Sequence, residues 1–126
     1  EGRPYRYTYL SFVIDEHDPG PLHQAIMKLD METGAQQVWS AAPRGFTTEA
    51  VFVPKGNTAG GTRGAEDDGW LITHVYDAAH HRTDVVILDA KDLSKGPVAR
   101  LHLKQHIPHP FHGCFVPEYF GPQPAA

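Results

Sequence analysis

Cysteine is almost missing from this chain: Cys114 is the only one in 126 residues. No internal disulfide can form, which excludes a secreted disulfide scaffold and fits a reducing compartment. Long apolar runs are missing as well, and none approaches the length a helix needs to cross a bilayer. Positive charge is sparse: 11 Lys and Arg against 15 Asp and Glu leave a formal net charge of -4. The basic residues are scattered and form no stripe able to neutralise phosphates, so nucleic acid is not an expected partner. Position 1 is Glu, and no charged stretch followed by an apolar one opens the chain. A targeting segment is therefore expected to be absent or to lie upstream, and the chain is expected to be a fragment.

What is present is the composition of one soluble globular domain, 40% hydrophobic, 21% charged and 10% aromatic, long enough for a core but too short for two domains. Strand signals dominate. Short β-branched or aromatic runs fall at residues 5–14, 24–29, 36–40, 50–53, 70–76, 84–88, 98–103 and 114–116, and almost nothing reads as helix. Turn chemistry punctuates them at Asp18-Pro19-Gly20-Pro21, Glu32-Thr33-Gly34, Glu66-Asp67-Asp68-Gly69 and Ser94-Lys95-Gly96-Pro97. The runs at 70–76 and 84–88 are joined by a polar connection suited to a hairpin, and 98–103 alternates like an outer strand with one wet face. An antiparallel meander is predicted, of a kind that sandwiches, barrels and propeller blades all contain. Residues 55–65 carry Gly56, Gly60, Gly61 and Gly64 and no large apolar side chain, which predicts a flexible surface insertion. A phosphate-binding loop is a poor fit, since Gly60-Gly61-Thr62-Arg63-Gly64 lacks the strand-to-helix context and the Gly-Lys-Ser/Thr ending.

The stretch Ile107-Pro108-His109-Pro110-Phe111-His112-Gly113-Cys114-Phe115-Val116-Pro117 places an imidazole on a short turn between two strand-like runs, in the manner of one arm of a metal site. Of the other histidines, His17, His23 and His106 fall in or beside loops, His80 and His81 in the hairpin turn, and His74 and His102 within strands. His74 reads as a packed or hydrogen-bonded strand residue. His109 could join His112 at a structural zinc, but no Cys or His pair at zinc spacing supports that.

Several segments together resemble the C-terminal part of the carotenoid cleavage oxygenase family, which includes the retinal-pigment-epithelium isomerohydrolase and the lignostilbene dioxygenases. The resemblance runs nearly end to end, through Arg3-Pro4-Tyr5-Arg6-Tyr7-Thr8-Tyr9, Ile26-Met27-Lys28-Leu29-Asp30-Met31-Glu32-Thr33-Gly34, Thr48-Glu49-Ala50-Val51-Phe52-Val53-Pro54, Glu66-Asp67-Asp68-Gly69-Trp70-Leu71, Val86-Ile87-Leu88-Asp89-Ala90, Pro97-Val98-Ala99-Arg100 and Phe111-His112-Gly113. The chain departs from the family at Ala50, where Pro is usual, at Pro110, where Gly is usual, at Cys114 and in the length of the 55–65 insertion.

The resemblance implies an all-β fold in which residues 1–126 form the C-terminal blades of a seven-bladed β-propeller. It also implies a nonhaem Fe(II), or Fe(2+), on the propeller axis, held by four histidines from different blades. His112 matches the last of these ligands, and Glu49 matches a glutamate that accepts the ring N–H of an iron-bound histidine. The implied activity is oxidative cleavage of a conjugated C=C bond in a carotenoid or apocarotenoid by dioxygen, giving carbonyl products. The partners would be a lipophilic polyene and dioxygen, with peripheral membrane contact open through parts outside this segment, in cytoplasm or plastid; oligomeric state is not legible. Phe111, Phe115, Tyr119 and Phe120 are expected to pack between blades, and the segment alone is expected to be inactive and poorly stable. The same fold also serves stilbene dioxygenases and a retinoid isomerohydrolase, and a non-catalytic β module binding a partner or apolar ligand is the alternative from a different class.

Overall fold

The strand over Gly69–Asp77 shows how sequence becomes architecture here. Its residues alternate between two faces, as a strand's must: Gly69, Leu71, Thr73 and Val75 are buried, while Trp70, Ile72, His74 and Tyr76 are half-buried on the opposite side. The computed structural model that contains it describes residues 4–14, 22–56, 64–118 and 120–122. The expected turn at 18–21, His17, most of the glycine-rich insertion (57–63) and Tyr119 lie outside the described residues.

Among the described residues eight strands form two antiparallel sheets. The first is a meander of β1 (Tyr7–Phe12), β2 (Ala25–Asp30) and β3 (Gln36–Ser40). In the second, β6 (Gly69–Asp77), β7 (Arg82–Asp89) and β8 (Pro97–His102) are consecutive neighbours, and the free edge of β6 takes both β4 (Gly45–Thr47) and β5 (Val51–Pro54). The expected strands form at their predicted places within a few residues, with one exception. Residues 114–116 form no strand: they are exposed, sit between Gly113 and Pro117, and pair with no described strand. Conversely β4 is an addition, a three-residue strand too short to announce itself by alternation.

Turns close as their residues require. Gly34 takes φ +74 after β2, a left-handed conformation that glycine adopts without steric cost. At the β6–β7 hairpin, Asp77 Oδ1 accepts from the Ala79 and His80 amides at 3.0 and 3.3 Å, an Asx-type closure.

Ile26 and Trp39 of the first sheet meet Leu71, Val75, Val86 and Leu88 of the second, with Ala90 and Leu93 from the connection after β7, to form the core. Tyr9 stacks on Phe52 across the sheets with centroids 5.9 Å apart, and its hydroxyl donates to the Ala90 carbonyl at 3.2 Å. Gly69 is required where β6 begins, because a Cβ there would overlap the Phe52 ring.

The acidic turn before β6 has a second task. Glu66 Oε1 accepts the Arg6 and Tyr7 amides, both at 2.9 Å, so one carboxylate satisfies backbone donors at the start of β1. Asp67 accepts from the buried Lys28 ammonium at 2.7 Å, and that ammonium also donates to the Lys91 carbonyl at 3.2 Å and lies 4.2 Å from the Tyr7 ring centroid. Burying a lysine is costly unless it is paired and hydrogen-bonded, so this turn ties the two sheets together. Glu66→Ala is expected to cost about 1 kcal/mol, the net worth of an exposed hydrogen-bond pair. Hydrogen exchange should accelerate at the Arg6 and Tyr7 amides; unchanged protection there would contradict this account.

Candidate metal-ligand arm and its glutamate

Between β4 and β5 the chain bows away from β6. Thr47 pairs with Val75 and Val51 with Ile72, so Thr48, Glu49 and Ala50 stand opposite only His74 and Thr73. One residue more on one strand than on its partner is a β-bulge, a device that re-aims a side chain. Threonines satisfy the interrupted backbone: Thr48 Oγ1 accepts the His74 amide at 3.2 Å, and Thr73 Oγ1 donates to the Thr48 carbonyl at 3.1 Å. Glu49, at the middle of the bulge, is thereby turned outward, its side chain 48% exposed.

The residues that follow β8 return across the outward face of the second sheet. Along this arm, His112 Nδ1 lies 3.1 Å from Glu49 Oε2, and the Gly113 amide approaches the same oxygen at 3.4 Å. A carboxylate can only accept, so the imidazole carries a proton on Nδ1, and in the neutral ring the Nε2 lone pair is free. Phe111 stands edge-on to the His112 ring with centroids 4.4 Å apart. The imidazole is 72% exposed. Its orientation rests on Glu49 and Phe111, not on burial in the core.

Beside this pair is a cavity of about 260 Å³ whose walls include Val51, Val53, Ile72, His74, Pro110 and Phe115. Its lining is largely apolar, with Glu49, His74 and His112 as the titratable groups together with the Cys114 thiol. The structure thus brings together the two residues singled out from the sequence, His112 and Glu49, although they are 63 positions apart. It also places His74 on the same cavity, half-buried, a neighbour that strand position alone did not reveal. The spacing of His112 and His74 along the chain carries no signal of this; only the fold of the arm over β6 does.

The remaining histidines are placed elsewhere. His80 Nδ1 is 2.7 Å from Asp77 Oδ2 in the exposed hairpin turn, His81 contacts the Tyr76 hydroxyl at 3.1 Å, and His23 meets Ser11 Oγ at 2.8 Å. Among the described residues no group of three His, Cys, Asp or Glu side chains converges to hold a metal ion. His109 does not join His112 in such a group. Phe111 is 87% and Phe120 79% exposed, and Phe115 is also exposed. Phe111 and Phe115 border the cavity on the face of the second sheet away from the core.

Among the described residues no helix is long and apolar enough to cross a membrane. A family model described as retinal pigment epithelial membrane protein matches residues 1–117. The chain is 48% identical over 115 residues to the apocarotenoid-15,15'-oxygenase of Synechocystis, covering 91% of this chain and 22% of that protein. It is 40% identical over 91 residues to a carotenoid 9,10(9',10')-cleavage dioxygenase of Pisum sativum, covering 72% of this chain and 16% of the relative. Among solved structures, cobalt-substituted Synechocystis apocarotenoid oxygenase superposes with a TM-score of 0.76 at 46% identity over 88% of this chain, again 22% of that molecule. The chain therefore spans about a fifth of the relatives it matches. The all-β expectation holds, and with it the assignment of these sheets to propeller blades. A match over nearly the whole sequence, joined to the same backbone course at this level of identity, establishes that the chain belongs to the retinal pigment epithelial membrane protein family, whose members include carotenoid and apocarotenoid oxygenases.

Proposed function

We propose that these residues are the C-terminal part of a seven-bladed β-propeller dioxygenase that holds nonhaem Fe(II) and cleaves a conjugated C=C bond of a carotenoid or apocarotenoid into two carbonyl products. The observation that carries this reading is the pairing of His112 Nδ1 with Glu49 at 3.1 Å beside an apolar cavity, in a chain of this family.

The residues fit one quarter of the iron's ligand set. His112 offers a neutral imidazole with Nε2 free, a donor suited to Fe(II), and its other nitrogen is held by a carboxylate, the usual means of fixing tautomer and raising basicity. The three further histidines would come from blades outside this chain. When bound, the iron supplies the site at which dioxygen is activated. What this chain supplies is orientation and exclusion: Glu49 holds the His112 proton on Nδ1, the bulge keeps Glu49 turned outward, and Val51, Val53, Ile72 and Phe115 line an apolar wall beside the imidazole. Such a wall suits a polyene, which needs shape and dryness more than polar anchors. Lipophilic substrate, dioxygen and a cytoplasmic or plastid setting, with peripheral contact to a membrane, complete the reading.

The test is to purify the complete protein, measure its iron, and supply an apocarotenal, a stilbene and isoeugenol under labelled dioxygen. Iron near one per chain and label in the carbonyl products of the apocarotenal are expected; an iron-free protein, or no cleavage of any polyene, would sink the proposal. Glu49→Ala is expected to weaken iron binding by about 10- to 100-fold, the usual cost of removing the partner behind a ligating imidazole. Titration with Fe(II) would show it, and an affinity equal to wild type would mean that Glu49 braces nothing.

A further inference from the structure

We propose that Thr83 of β7 is a positioning residue for His112, acting through the backbone of Ile107; this rests on the reading of His112 as a metal ligand. Thr83 is buried, yet its hydroxyl is saturated by the returning arm. Oγ1 donates to the Ile107 carbonyl at 3.2 Å, accepts the Ile107 amide at 3.1 Å, and has His106 Nδ1 at 3.4 Å. A hydroxyl has one proton to give and two lone pairs to receive with, and here all three are engaged by two consecutive residues of the arm. The Thr83 carbonyl also accepts the Leu103 amide at 3.1 Å, so the chain after β8 is closed over a single residue. Tyr76, the cross-strand partner of Thr83, stands edge-on to the His106 ring at 5.2 Å.

The arm needs such a clamp because burial does not place it. Residues 108, 109 and 111–118 are exposed, and only Ile107 and Pro110 are half-buried. Among the described residues two polar anchors remain, Thr83 at Ile107 and Glu49 at His112 and Gly113. Between them lie five residue steps, two of them prolines whose φ is locked and which restrict the residue before each. A short, stiff segment fixed at both ends presents its imidazole in one place. Released at Ile107, it would hang on Glu49 alone, and the imidazole would have to be ordered when the metal binds.

The experiment compares the complete protein with its Thr83→Val and Thr83→Ser variants. Valine keeps the shape in β7 and removes every hydrogen bond of the hydroxyl; serine keeps the hydroxyl. Three quantities are read: Fe(II) affinity, hydrogen exchange across 107–113, and exchange across β6 and β7. Thr83→Val is expected to weaken Fe(II) by about tenfold, the lower end of what loss of support behind a ligand costs, and to speed exchange in the arm while β6 and β7 stay protected. Thr83→Ser is expected to restore both. Wild-type iron affinity and arm protection in Thr83→Val would overturn the proposal. If that variant does not fold, Ile107→Pro removes the amide that Thr83 Oγ1 accepts and leaves β7 intact, and wild-type arm protection and affinity together there would overturn it. A wild type that holds no iron refutes the reading of His112 instead, and arm exchange in Thr83→Val then decides the clamp on its own.

Discussion

His112→Ala in the complete protein is expected, on the proposed role of His112 as an iron ligand, to lower Fe(II) affinity by more than about 100-fold and to abolish cleavage, since removing a ligand outright exceeds the 10- to 100-fold cost of removing the group behind one. Its thermal stability should be nearly unchanged. The reason is local: the imidazole is 72% exposed and its partner Glu49 is 48% exposed, so truncation opens no core cavity and leaves no buried charge alone. Metal content and melting temperature, measured on the same preparation, separate a ligand from a structural residue. Loss of stability with metal retained would reverse the assignment, and retention of both would remove the arm from the active site.

Asp84→Ala is expected to have the largest effect on stability, about 3 kcal/mol, the lower end of the cost of breaking a buried ion pair. Asp84 is fully buried in β7. Its Oδ1 accepts from Arg82 Nε at 3.1 Å and lies 2.8 Å from His102 Nδ1, while Oδ2 accepts from Arg100 Nη1 at 3.0 Å. Arg100 and His102 belong to β8, the outermost strand, most of whose residues are exposed. An edge strand with so little apolar burial depends on this carboxylate to hold it. Arg82, Arg100 and His102 remain part-exposed and can rehydrate, which is why the lower end of the range applies. A loss below about 1 kcal/mol would place the cluster with ordinary surface pairs. Urea denaturation decides between the two, and hydrogen exchange should localise the loss to β8.

The same carboxylate imposes a pH dependence. Burial pushes the Asp84 carboxyl up, but the bonds from His102 and Arg100 and the charge of Arg82 outweigh it, and the net shift is downward. The Arg6 fork likewise holds Asp30 well below the usual carboxylate range. A group whose folded pKa lies below its unfolded one contributes stability that is present above the unfolded value, about 4 for Asp, and is lost as pH falls through the folded one. Acid should therefore release β8 first among the strands of the second sheet, and Asp84→Ala should flatten that part of the profile.

The sequence by itself determined most of the strands and the two residues that meet at the candidate metal site. Alternation over 70–76 and 84–88 and turn chemistry at Glu32-Thr33-Gly34 and at 77–83 are local signals, and local sterics produce the corresponding elements wherever they occur. His112 and Glu49 were legible because the segments around them resemble a known family, not because anything in their spacing joins them. Only the tertiary structure decided the rest. The bulge that turns Glu49 outward depends on pairing two short strands, β4 and β5, to one edge of β6, and β4 carries too few residues to show a period. His74 reaches the cavity, and Thr83 the arm, only because residues 103–115 return across β6 and β7. The tendency to strand that residues 114–116 carry was overruled because, among the described residues, no partner strand lies there to take their hydrogen bonds. A backbone direction set by long-range hydrogen bonds leaves no periodic trace in the residues it brings together.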